Sequence, residues 1–65
     1  MKKAIGYYAE NMFLGGKRNE FTINVINNDD GTTAPLGDIR RFAVSSRGEG
    51  LDIADRLGIE IISWE

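Results

Sequence analysis

Neither cysteine nor histidine occurs in the 65 residues, and in a chain this short that double absence constrains the fold more than any motif does. Burial alone leaves small scaffolds only about 3–5 kcal/mol of net stability, so natural ones commonly add disulfides, a metal or a second subunit. Disulfides, zinc fingers, iron–sulfur clusters and haem ligation all need residues that are missing here. Only an oxygen-ligand metal site stays chemically open, no cofactor is expected, and self-association or docking onto a partner is the remaining support. Leu, Ile, Val and Phe supply 17 of the 65 residues, above the roughly 20% below which chains stay disordered. The chain is therefore expected to fold, as a single domain over residues 1–65 with a thin core.

Residues 3–14 and 20–28 read as strands. In the second, Phe21, Ile23 and Val25 alternate with Thr22 and Asn24, the pattern of a strand buried on one side. In the first, Ile5, Tyr7 and Ala9 fall on one face and Gly6, Tyr8 and Glu10 on the other, which places a tyrosine on each. Leu14-Gly15-Gly16-Lys17-Arg18-Asn19 between them predicts a hairpin with a basic tip. Residues 27–37 contain turn formers and no apolar run, a long loop. A third strand is expected over 39–45, where the three-residue spacing of Ile39 and Phe42 calls for a bulge or a start at Arg41.

Over 50–58 the spacing predicts a short helix with Leu51, Ala54 and Leu57 on its inner face, Ile53 beside them, Asp52 and Asp55 outside, and Gly58 as the left-handed residue beyond its end. Ile59–Glu65 then reads as a closing strand, with Ile59 and Ile61 pointing one way and Ile62 and Trp64 the other. The expected fold is α+β: a two-layer β-β-β-α-β domain whose mixed four-stranded sheet carries one short helix on one face, with strands three and four parallel.

Several constellations invite a chemical reading. Ser45-Ser46-Arg47-Gly48-Glu49-Gly50 lies between a strand and a helix N-terminus, where amides and dipole can hold an anion. The dinucleotide fingerprint fails there, because its third glycine position is Ile53. Gly15-Gly16-Lys17-Arg18 is similar to the end of a P-loop but has Asn11 and Arg18 where glycine and Ser or Thr are required. With Gly31 as sixth position, a calcium loop would begin at Ile26 and end at Gly37, so Asn27–Gly31 is read as a turn and no metal site is expected. Asp38, Glu49, Asp52, Asp55 and Glu60 could furnish paired carboxylates, but nothing in the sequence desolvates them. Ser45 or Ser46 as nucleophile would need a lysine base, and the lysines sit at strand ends and the hairpin tip. An enzyme is not expected.

The net charge is −2, and it is unevenly spread: residues 1–28 carry four cations against two acids, residues 29–65 eight acids against four arginines. Broad attraction to nucleic acid or anionic membrane is disfavoured. Residues 1–10 begin like a signal peptide, but Glu10 and Asn11 interrupt the apolar run; no run approaches a membrane span, and a cytoplasmic location is expected.

Two functions follow. The first is a protein-binding module with Asp52, Asp55, Glu60 and Trp64 as its docking residues, an acidic face for a host or cognate protein, such as one that handles nucleic acid. Size and the lack of a motif, not any residue match, invite comparison with the inhibitors and accessory proteins that phages and other mobile elements encode, anti-CRISPR proteins among them. The second is a phosphate or single-stranded nucleic-acid binder using Arg40, Arg41, Ser46, Arg47 and Gly48. Self-association through Ile62 and Trp64 is a separate expectation, a possible homodimer.

Overall fold

In the computed structural model, which describes residues 1–33 and 38–65, the chain runs β1 (Lys2–Phe13), a 3-10 turn (Leu14–Gly16), β2 (Arg18–Asn27), β3 (Ile39–Val44), α1 (Arg47–Arg56) and β4 (Ile59–Trp64). The strands form one mixed four-stranded sheet in the order β3-β2-β1-β4, with α1 on one face, as the α+β reading anticipates. β2 is antiparallel to both neighbours and β4 is parallel to β1. Strands β3 and β4 therefore run the same way, at opposite edges of the sheet.

The core lies between sheet and helix. Ala4, Phe21, Ile23, Val25, Val44, Ala54 and Ile59 are buried, with Tyr8, Phe42, Ile53, Ile61 and Trp64 packed around them. The alternation in β2 sends Phe21, Ile23 and Val25 into this layer, and a tyrosine does stand on each face of β1, Tyr8 against the core and Tyr7 exposed. Phe21 is the centre, its ring 6.3 Å from that of Phe42 and 6.0 Å from that of Trp64.

Three expectations are corrected. The helix begins at Arg47 and buries Gly50 and Ala54, whereas Leu51 and Leu57 are each 41% exposed. The reason is steric: a Cβ at position 50 would lie 2.5 Å from the Phe21 ring, so glycine, not leucine, marks the line of closest approach. The helix ends as expected, with Gly58 at φ 72° just beyond it. In β3 the pairing runs without a shift from Ile39 opposite Asn24 to Val44 opposite Asn19. Neither a bulge nor a late start is needed, because Ile39 simply points away from the helix and Phe42 towards it.

The third correction concerns β4. Ala4 pairs with Ile61 but Ile5 with Ser63, so Ile62 is an extra residue, a β-bulge. Beyond it the alternation restarts, and Trp64, opposite Gly6, joins Ile59 and Ile61 on the helix side. Ile62 and Trp64 thus do not form one apolar face. Gly6 is the counterpart of that arrangement, since a Cβ there would come within 2.8 Å of the Trp64 ring. A second irregularity, between Ala9 and Phe13, bends the hairpin, and Asn11 takes a left-handed φ of 57°.

Of the loop expected over 27–37, residues 34–37 lie outside the described residues. Before them Asp30 Oδ1 accepts hydrogen bonds from the Thr32 N–H and hydroxyl, at 3.0 and 2.6 Å. These bonds hold the Asp30 carboxyl below its ordinary pKa and close a local turn.

Candidate functional site

One sheet face is covered by α1; among the described residues no element covers the other. Strand pairing arranges the uncovered face in rows. Arg41 lies opposite Thr22 and Thr22 opposite Tyr7; Glu65, whose N–H donates to the Gly6 carbonyl at 2.8 Å, completes that row on the β4 side. In the adjacent row Ile39 lies opposite Asn24, Asn24 opposite Ile5, and Ile5 opposite Ser63. All of these side chains but Ser63, together with Glu20, border a depression of about 290 Å³. Tyr7 is 38% exposed, and Ile39 and Ile62 are each 47% exposed. The result is a mixed face in which Glu20, Thr22 and Asn24 of β2 stand between Ile39 and Tyr7, with a cation at the β3 edge and a carboxylate at the β4 edge.

The residues singled out from the sequence are dispersed around this face. Arg40 and Arg41 are neighbours on β3 and so project to opposite faces, Arg41 to the open one. Arg47 lies on the helix side, its guanidinium 3.9 Å from the centroid of the Trp64 ring, a stacked cation–π contact. Trp64 is therefore partly covered from within the chain. Asp52 and Asp55 are exposed on the outward side of α1. Glu60, opposite Lys3 across the β1–β4 pairing, alternates with the inward Ile59 and Ile61 and belongs to the open face instead. Asp52, Asp55, Glu60 and Trp64 do not share one surface, and neither do Arg40, Arg41 and Arg47.

At the 45–50 turn the chain supplies its own anion. Ser46 caps α1, its hydroxyl accepting from the Glu49 N–H at 3.3 Å. Glu49 Oε2 in turn accepts from the Ser45 N–H at 2.8 Å and from the Ser45 hydroxyl, a close variant of the capping box. Arg18 Nη2 stands 3.6 Å from Glu49 Oε1, so the basic hairpin tip is partly spent on this contact. The two Ser45 bonds first, then Arg18, hold the Glu49 carboxyl below its ordinary pKa. Two donors of this turn, the Ser45 N–H and hydroxyl, are thus already paired with a carboxylate, and Gly48 and Ser46 serve the helix start.

One organising residue escaped the sequence reading. Asn19 accepts from the Asn11 N–H at 3.0 Å through Oδ1, and its Nδ2 donates to the Tyr8 hydroxyl at 2.7 Å and to the Ser45 carbonyl at 3.0 Å. It ties the bent hairpin to the turn before α1. The pattern carries no local signal, since its partners lie up to 26 residues away.

Fold and site together define a two-layer α+β domain with an uncovered, mixed apolar and charged sheet face. No protein-family model matches the chain, and no curated protein or solved structure matches it either. No helix among the described residues is long and apolar enough to cross a membrane.

Proposed function

We propose that the chain is a small protein-binding module that docks its partner on the open sheet face, around Tyr7 and Arg41. The observation that carries this reading is the exposure of Tyr7 and Ile39 beside Arg41 on the face that α1 leaves bare. Large hydrophobic side chains exposed among polar groups on one face fit an interaction site, and Tyr and Arg are among the side chains that most often anchor interfaces.

The finer reading, an inhibitor or accessory protein setting an acidic face on a host protein that handles nucleic acid, is supported by the net charge of −2 and, on the helix, by Asp52 and Asp55. A nucleic-acid or phosphate site draws less support, because its arginines point in different directions and Glu20, Glu60 and Glu65 surround the open face.

The test is a tagged pull-down from host lysate, with and without nuclease, using the parent chain, Tyr7→Glu, and Asp52→Lys/Asp55→Lys. A nuclease-resistant protein partner lost only with Tyr7→Glu is the expected outcome. Loss only with the helix double variant would move the docking surface to α1, and a partner set that vanishes with nuclease would favour nucleic acid.

A further inference from the structure

The open face is self-complementary, and from this we infer that its occupant is a second copy of the chain, packed sheet to sheet about a twofold axis parallel to the strands. The inference rests on the reading of that face as the docking surface. A twofold axis lying between two stacked sheets and parallel to their strands preserves position along each strand and reverses order across the sheet. β3 of one copy then lies over β4 of the other. In the row Arg41–Thr22–Tyr7–Glu65, Arg41 meets Glu65 and Thr22 meets Tyr7, each contact occurring twice. In the row Ile39–Asn24–Ile5–Ser63, Ile39 meets Ser63, while Asn24 meets Ile5. No like charges meet in either row.

The alternative axis, perpendicular to the strands, lays β3 on β3 and β4 on β4, which gathers arginines at one edge and glutamates at the other. Charge therefore selects the first arrangement, the aligned packing of β-sandwiches, in which strand directions differ by about 30°. The area is modest. Four strands about 4.8 Å apart and about six residues long present roughly 400 Å² per copy, so the pair buries on the order of 800 Å², below the ~1,200 Å² of a standard stable interface. The dimer is accordingly transient and concentration-dependent, with the two Arg41–Glu65 contacts fixing its register.

Sedimentation velocity over a range from low micromolar to millimolar, at low and high salt, tests this with four proteins: the parent, Arg41→Glu, Glu65→Arg, and the double charge swap. Both positions of change, Arg41 and Glu65, are exposed, and thermal melts establish that each variant is folded. The parent is expected to move towards twice the monomer mass, less so at high salt. Each single reversal is expected to raise the dissociation constant at least about tenfold, and the double swap to return it to within about threefold of the parent. A parent that stays monomeric throughout overturns the inference, as does a dimer indifferent to the single reversals or not rescued by the swap. Tyr7→Glu separates the two levels. If a monomeric parent captures another protein that Tyr7→Glu loses, the open face is a docking surface for a different occupant; if Tyr7→Glu changes neither dimer nor capture, the docking reading itself falls.

Discussion

At position 50 a single hydrogen in place of a side chain determines how near the helix lies to the sheet. The Phe21 ring occupies the space that a Cβ there would need, and it is the largest fully buried side chain in the core. Gly50→Ala sets two effects against each other. Alanine favours an interior helical position over glycine by about 1 kcal/mol, while overpacking a filled core costs about 1–3 kcal/mol. Because the blocking atoms are ring carbons of the central residue and not the end of a flexible chain, the second effect wins. Urea melts should show Gly50→Ala to be less stable than the parent by about 1 kcal/mol, and a more stable variant would mean that the ring gives way freely. The same geometry explains why the sequence misleads about the helix's inner face. Leu51 and Leu57 are the larger hydrophobes, but the buried line runs through Gly50 and Ala54, where small size is the requirement, and a periodicity count weights small residues least.

Among the elements, α1 is anchored less by its own propensity than by what precedes it. A ten-residue helix is marginal alone, and here Ser45, Ser46, Glu49 and Arg18 fasten its first turn. The Glu49 carboxyl is held below its ordinary pKa when folded. Its contribution to stability is therefore complete above the unfolded value and is lost as pH falls through the folded one. From about pH 4.5 downward the parent should lose more stability than Glu49→Gln, seen as converging melting temperatures, with no such convergence near neutral pH. In the sequence β2 was legible from its strict alternation. The bulges in β1 and β4 were not, because an extra residue in a strand is decided by what the opposing strand offers. Trp64 reaches the core only because Gly6 leaves it room, and those two residues are 58 positions apart.

For the whole molecule the pairing of β1 with β4 joins the first strand to the last, leaving β3 and β4 as the two edges of the sheet. If two copies meet through their open faces, both helices are carried to the outside, and Asp52 and Asp55 appear twice, at opposite poles of the assembly. The bulge at Ile62 has a different kind of consequence. An ordinary strand cannot lose a residue without turning every later side chain to the wrong side; removing Thr22 from β2 would do this to Ile23 and Val25. At Ile62 the chain holds one residue of slack. Deleting Ile62 should bring β4 into regular pairing with Ser63 still opposite Ile5 and Trp64 still opposite Gly6. The variant is expected to fold with the tryptophan emission of the parent, whereas a red-shifted spectrum would show Trp64 expelled. This is a place where an insertion or deletion could accumulate between related chains without disturbing the interior, and a one-residue length difference in β4 need not signal a different fold.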